Sequence, residues 1–243
     1  MSSGQIVLFD IPSKTGKPWS LNPWKTRLLL NYKGLDYKTE WVEYPNIKPR
    51  LEPHVPPNGP QSMAPYTIPT IMLPSGQYVM DSLEIAKVLE KEYPSPSAHV
   101  DSPYYDRLLE QTKAAMAALP SVYVTNVYDR VLGEASRPYF HETRTKYLGM
   151  PIEEYLAKHP VEESFQAAEQ YLRNVTALLK ENGQGPFLMG REVCYADFVW
   201  GGFLLFFKVM GEDVWERFLK ATGDAKVHLD FLEALEPWTK KVD

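Results

Sequence analysis

Residues 17–34 have the sequence KPWSLNPWKTRLLLNYKG, which predicts a loop that runs into the first helix of the chain. Asn22 is a favoured N-cap type, and Pro23 is tolerated at the first helical position because its missing N–H has no partner there anyway. Gly34 is the expected stop. Ser20 then lies just before the first turn, near unpaired N–H groups and the positive end of the helix dipole. This place can hold an anion, although a serine there can also be purely structural.

The chain before residue 95 predicts a mixed α/β domain. Short apolar or alternating runs indicate strands, and longer amphipathic runs indicate helices. In chain order these are a strand at 5–9, the helix described above, strands at 37–42, 67–73 and 77–80, and a helix at 81–94 that Asp81 can cap. We expect residues 1–94 to form one compact domain with the order β-α-β-β-β-α.

A proline-rich segment interrupts this domain. Seven prolines fall within the 21 residues from Pro45 to Pro65. Because proline inside a helix removes a hydrogen bond and clashes with the preceding turn, we expect a loop with at most a short helical turn. So long a loop is either functional or a plain surface excursion.

The rest of the chain predicts an all-helical domain over residues 102–243, after a linker at 94–101. Ser102-Pro103 starts a long helix that Pro120 is expected to break. Further helical patterns occur at 121–133, 137–147, 151–158, 161–182, 194–210, 212–221 and 226–241. Residues 198–207 are apolar on nearly all sides, which predicts a central core helix rather than a membrane span.

Composition narrows the classes of function. The 243 residues carry 26 basic and 31 acidic side chains, and no long basic run appears, so we expect no nucleic-acid partner. The single cysteine, Cys194, excludes an internal disulfide, and we interpret it as buried and structural. The five histidines are dispersed and predict no metal site. The N-terminus does not read as a signal peptide, so we expect a cytoplasmic protein without a membrane partner.

Four local patterns resemble those of cytosolic glutathione transferases. The run from Ser20 to Arg27 is similar to the serine-type start of these enzymes, and Ile68-Pro69 matches the cis-proline before their third strand. Asp81-Ser82 matches the pair that grips the γ-glutamyl end of glutathione. The segment 190–197 is similar to their folding nucleus, although Cys194 stands where a hydroxyl cap is usual.

The resemblance covers essentially the whole chain and implies an N-terminal thioredoxin-like domain followed by an all-helical domain. Within the superfamily, the first helix and the proline-rich segment look most like the fungal etherase-related, β-etherase-like class. Glutathione is the implied co-substrate, and no metal is implied. The implied site residues are Ser20 and Asn22 for catalysis, and Ile68, Pro69, Asp81 and Ser82 for glutathione, with the aromatic residues Trp24, Tyr123 and Tyr128 for an apolar substrate between the domains.

Two functions stay open at this point. In the first, Ser20 stabilises the glutathione thiolate, which attacks a hydrophobic electrophile such as an aromatic ether. In the second, the protein binds glutathione and carries apolar aromatic or phenolic ligands with little turnover. Asn22 is either a second hydrogen-bond donor to the thiolate or only the helix cap. Tyr123 and Tyr128 are not spaced to lie on the same face of a helix, so a regular helix offers only one of them to a site. The resemblance also implies a homodimer.

Overall fold

The computed structural model describes residues 4–60, 62 and 64–242. Four strands are present within these residues: β1 Ile6–Asp10, β2 Tyr37–Trp41, β3 Thr70–Met72 and β4 Tyr78–Met80. The α-helices are α1 Leu21–Tyr32, α2 Ile47–Leu51, α3 Ser82–Glu92, α4 Tyr104–Ala118, α5 Pro120–Asn126, α6 Arg137–Leu148, α7 Ile152–Lys158, α8 Val161–Glu181, α9 Tyr195–Lys208, α10 Glu212–Ala221 and α11 Ala225–Thr239. A 3-10 turn, Tyr44–Asn46, precedes α2, and a π-helical turn, Val127–Val131, follows α5.

The strands form one mixed sheet in the order β2-β1-β3-β4. β1 and β2 are parallel and are joined through α1, while the other two pairings are antiparallel. α1 and α3 pack together on one face. On the other face Arg50 of α2 lies over the Phe9 ring, 4.6 Å from its centroid. The arrangement is thioredoxin-like, and the helices from α4 onward complete the predicted α/β plus all-α fold.

The first helix begins earlier than the sequence predicts. Ser20, not Asn22, occupies the N-cap position, and its side chain makes no capping hydrogen bond. Asn22 and Pro23 are therefore the second and third helical residues. Proline is still tolerated there because none of the first N–H groups of a helix has an intrahelical partner. The predicted stop is confirmed, since Gly34 has a φ of +65° and its N–H donates to Asn31 O.

The proline-rich segment forms slightly more helix than expected. The 3-10 turn leads directly into the five residues of α2, which include Pro49. Pro49 is the third residue of α2, so its missing N–H falls in the first turn, where none is needed. From residue 52 onward the described part of the segment is irregular, as predicted.

The central helix of the structure is α9, as the apolar run predicted. Its side chains are almost all buried, and it packs extensively against α1 of the first domain. The contact depends on Gly202, where a Cβ would lie 2.7 Å from the Leu21 carbonyl oxygen. Only glycine allows the backbones to approach this closely. No helix among the described residues is long and apolar enough to cross a membrane.

The start of α9 is held by a buried carboxylate. Asp197 accepts hydrogen bonds from the N–H groups of Cys194 and Leu188, at 2.8 and 2.9 Å. Cys194 is fully buried at the N-cap position, and burial raises the pKa of its thiol to about 12. The thiol therefore stays protonated at neutral pH, which agrees with a structural role.

A buried histidine links α8, α9 and α11. His228 Nδ1 accepts from Trp200 Nε1 at 3.2 Å, and its Nε2 lies 2.8 Å from Thr176 Oγ1. Burial lowers the pKa of His228 from an ordinary value of 6.5 to about 4. The ring is therefore neutral in the folded protein at neutral pH.

We expect this histidine to make the fold sensitive to acid. The folded pKa lies below the unfolded one, so the stabilisation is complete above pH 6.5 and is lost as the pH falls towards 4. The loss amounts to about 3 kcal/mol. Urea unfolding of wild type and His228→Gln at pH 7.5 and pH 5 tests this, with the exposed His141→Gln as control. Equal pH dependence in wild type and His228→Gln would contradict it.

Candidate functional site

Two adjoining cavities lie where the first domain meets the helical domain. The first, which we call the polar cavity, has a volume of about 720 Å³. It is formed by the start of α1, residues 58, 59, 62 and 67–69, the start of α3, and one face of α4. Its lining residues are Asn22, Lys25, Asn58, Gly59, Ser62, Thr67, Ile68, Pro69, Asp81, Ser82, Leu83, Tyr105, Leu109 and Lys113. It therefore contains all four residues that the resemblance assigns to glutathione.

The backbone of Ile68 is open towards this cavity. The Ile68-Pro69 peptide bond is cis, as the resemblance implies. Within the described residues, neither the N–H nor the C=O of Ile68 has a hydrogen-bond partner. A free N–H and C=O on one residue can pair with an extended peptide as the edge of a sheet does.

The start of α3 combines a strained residue with a side-chain cap. Asp81 has a φ of +81°, which is rare for a residue with a side chain. Its carboxylate accepts from the N–H groups of Leu83 and Glu84, at 2.9 and 3.3 Å. The carbonyl of Ser82 accepts from the Tyr195 hydroxyl at 2.8 Å, so α9 holds this turn in place. Strain of this kind persists at positions that the surrounding structure fixes, typically ligand sites.

The second cavity, which we call the aromatic cavity, has a volume of about 510 Å³. It is enclosed by the start of α1, Tyr44 and helices α4, α5, α6 and α9. The lining residues are Trp19, Ser20, Leu21, Asn22, Lys25, Tyr44, Leu109, Thr112, Lys113, Met116, Ala117, Tyr123, Val127, Phe140, Arg144, Tyr147, Val199, Phe203 and Phe206. An apolar wall with a few polar groups is typical of a small-molecule site.

The two cavities meet at the start of α1. Asn22 and Lys25 line both, and Ser20 lines the aromatic cavity beside them. Lys25 Nζ donates to Asn22 Oδ1 at 2.8 Å, so the amide N–H groups of Asn22 remain available. Burial lowers the pKa of Lys25 to about 8, and nearby Lys113 adds to the effect, while Asp81 opposes it. An anion at this junction would face a cation, a helix N-terminus and the Ser20 hydroxyl.

Two of the aromatic residues assigned to the substrate site lie outside the lining of both cavities. Trp24 is two positions, or about 200°, further round α1 than Asn22, so it packs towards α9 beside Gly202. Tyr128 lies in the π-helical turn, where its ring contacts His141 and the Arg137 guanidinium. The structure therefore does not bring these two to the lining of either cavity. Tyr123 lines the aromatic cavity, and Tyr128 does not.

Several lining residues were missed by sequence reasoning. Lys25 could have been found, because it lies three positions after Asn22 and so on the same helix face. Arg144 and Tyr147 come from α6, and no local motif marks them. Tyr44 opens the proline-rich segment, and its N–H donates to Ser136 Oγ, which ties the segment to α6. Among the described residues, no group of three or more His, Cys, Asp or Glu side chains is arranged to hold a metal ion.

Comparison with known proteins gives several strong similarities. Glutathione S-transferase-like protein ustS from Aspergillus flavus is 32% identical over 234 residues, covering 88% of this chain and 84% of that protein. The crystal structure of glutathione transferase GSTFuA2 from Phanerochaete chrysosporium is 31% identical, with a TM-score of 0.83 over 99% of this chain and 100% of that one. CsGST63524 of Ceriporiopsis subvermispora, solved in complex with glutathione, is 29% identical, with a TM-score of 0.81 over 99% of each chain.

Family models match both halves of the chain. The model for the glutathione S-transferase N-terminal domain matches residues 19–92, which include the start of α1 and the whole of α3. The model for the C-terminal domain matches residues 105–238, the helical part. With the thioredoxin-like sheet, the helical domain and the cavities between them, these matches show that the chain belongs to the glutathione S-transferase family.

Proposed function

We propose that this protein is a glutathione transferase in which the Ser20 hydroxyl donates a hydrogen bond to the glutathione thiolate. The observation that carries the proposal is the free hydroxyl of Ser20 at the start of α1. It makes no capping hydrogen bond, and it lies where the polar and aromatic cavities meet. A thiol is mostly protonated at neutral pH, and helix-terminal donors lower its pKa. Asn22 is proposed as a second donor, because its amide N–H groups are not used by Lys25.

The polar cavity supports a definite placement of glutathione. The free N–H and C=O of Ile68, before the cis-Pro69, suit the backbone of the cysteinyl residue. The hydroxyl and N–H of Ser82, at the N-terminus of α3, suit the γ-glutamyl carboxylate. The carboxylate of Asp81 suits the γ-glutamyl ammonium group. This placement leaves the sulfur pointing to the junction, towards Ser20.

The proposed reaction is a substitution at carbon by the thiolate. The sulfur forms a bond to an electrophilic carbon of a ligand in the aromatic cavity, and the leaving group departs with the electron pair of its bond to that carbon. For an aryl ether the leaving group is an aryloxide, which takes a proton from solvent. Ser20 stays unmodified throughout, because it only donates a hydrogen bond. Tyr123 and the neighbouring rings of Phe140 and Phe206 provide the apolar wall for the electrophile.

A second candidate is a glutathione-dependent carrier of aromatic compounds. The volume of about 510 Å³ and the many aromatic side chains of the aromatic cavity favour it. Both candidates predict that glutathione binds. They differ in that only the transferase lowers the pKa of the bound thiol and turns over an electrophile. Titration of thiolate absorbance for bound glutathione, followed by a panel of aryl ethers and halogenated aromatics, separates them.

Replacing Asp81 tests the proposed position of the γ-glutamyl ammonium group of glutathione. Asparagine tolerates a positive φ and is a good N-cap residue, so Asp81→Asn keeps the turn and removes only the charge. We expect the Kd for glutathione, measured by calorimetry, to rise about tenfold, since a hydrogen bond to a charged group contributes roughly 1.5–3 kcal/mol. Glu84→Gln, which removes a neighbouring charge outside the cavity lining, is the control. An unchanged Kd in Asp81→Asn would show that the ammonium binds elsewhere.

A further inference from the structure

Three cationic side chains line the aromatic cavity: Lys25 of α1, Lys113 of α4 and Arg144 of α6. No Asp or Glu of the described residues lines it. Within the same residues none of the three cations forms an ion pair with a carboxylate, although such pairs are frequent elsewhere in the chain. In a protein with a net charge of −5, the lining of this cavity carries positive side chains and, among the described residues, no negative one.

Arg144 is held against the aromatic wall. Its guanidinium carbon lies 4.4 Å from the centroid of the Phe140 ring and 6.0 Å from that of Tyr44. Its hydrogen-bond contacts are with the hydroxyls of Thr143 and Tyr44, which are neutral groups. Stacking fixes the plane of a guanidinium and leaves N–H groups on its edge free to donate.

The tyrosines around the cavity do not supply the missing negative charge. Burial raises the pKa of Tyr44 and of Tyr123, so both remain protonated at neutral pH. At the junction, burial lowers the pKa of Lys25, Asp81 of the polar cavity opposes that shift, and the nearby Lys113 adds to it. A negatively charged ligand would relieve the repulsion between these lysines and pair with the Arg144 guanidinium.

We propose that Arg144 makes the aromatic cavity selective for aromatic compounds that carry a carboxylate. Two parallel N–H···O bonds between guanidinium and carboxylate would orient the ligand, with its ring against the apolar wall. Lys25 and Lys113 also line the polar cavity, where they can bind the carboxylates of glutathione. Arg144 lines the aromatic cavity but not the polar cavity. The inference rests on the proposed function, in that this cavity is taken as the electrophile site.

The test compares 2-naphthoate with its neutral analogue 2-naphthamide. Their Kd values are measured by calorimetry on protein saturated with S-methylglutathione, so that the polar cavity is occupied. We expect wild type to bind the acid about tenfold more tightly than the amide, and Arg144→Gln to remove most of that ratio. Arg144→Lys, which keeps the charge but not the two-pronged geometry, should give an intermediate ratio.

The matched control is Lys146→Gln, which removes an exposed cation from the same helix, one paired with Glu142. It should leave the acid-to-amide ratio unchanged, and circular dichroism checks that each variant is folded. Equal affinity of wild type for acid and amide, or a ratio that Arg144→Gln and Arg144→Lys leave unchanged, overturns the proposal. If S-methylglutathione does not bind, the proposed function fails, and the same naphthalene comparison on the free protein still decides the role of Arg144.

Discussion

Ser20→Ala is expected to lower the rate of glutathione conjugation about 100-fold, the typical cost of removing one preorganised donor from a developing or bound anion. The Ser20 hydroxyl forms no capping hydrogen bond, so it is free to donate to the sulfur. Loss of the hydroxyl should also raise the pKa of the thiol of bound glutathione by about one unit or more, because a hydrogen bond to the thiolate favours the charged form. Steady-state kinetics and thiolate absorbance of the bound tripeptide against pH measure the two effects.

Ser20→Ala should remove the hydrogen bond to sulfur without lowering the stability of the fold. Replacing a serine that caps a helix usually costs about 1 kcal/mol of stability. Ser20 makes no such bond, so urea unfolding of Ser20→Ala should be close to that of wild type. Ser20→Thr, which keeps a hydroxyl at the same position, is the matched control and should retain most activity. Full activity and an unchanged thiol pKa in Ser20→Ala would remove Ser20 from the mechanism and leave the carrier as the better candidate.

The fold was predictable because its signals are local. Alternating runs, amphipathic runs and prolines mark the elements, and the predicted helices from residue 102 onward agree with the structure to within a few residues. The start of α1 was predicted two residues too late, because Ser20 and Asn22 are both favoured N-cap types. Asn22 and Pro23 are favourable types at the start of a helix, but the backbone of Ser20 is extended, with a ψ of 134°, and the helix begins right after it.

The two cavities differ in how far the sequence could predict them. The polar cavity is built from short segments in which neighbouring residues act together, such as Ile68-Pro69 and Asp81-Ser82, so motifs find it. The aromatic cavity is assembled from side chains of five helices and Tyr44, far apart along the chain. Nothing local distinguishes Arg144 from a solvent-exposed arginine or Phe140 from a core residue. Their role follows only from the packing of α6 against the 3-10 turn that contains Tyr44.

Arg27→Met is expected to lower the free energy of unfolding by about 3–5 kcal/mol, because it leaves a buried carboxylate without its partner. Both Arg27 and Asp10 are fully buried, and their side chains pair at 2.8 Å. Burial raises the pKa of Asp10, and Arg27 opposes that rise. The guanidinium also donates to the Val242 carbonyl oxygen, so it ties β1 and α1 to the C-terminal segment.

A double-mutant cycle isolates the pair. The double variant Asp10→Asn/Arg27→Met should recover most of the stability lost in Arg27→Met, because no unpaired buried charge then remains. The control is Lys87→Met, which breaks the exposed pair with Glu84 in the same domain and should cost about 1 kcal/mol or less. Urea unfolding at pH 7 measures the four proteins of the cycle, namely wild type, Asp10→Asn, Arg27→Met and the double variant, together with the control. If Arg27→Met costs no more than Lys87→Met, the buried pair does not hold α1 on the sheet, and the position of Ser20 must depend on the α1–α9 contact at Gly202 instead.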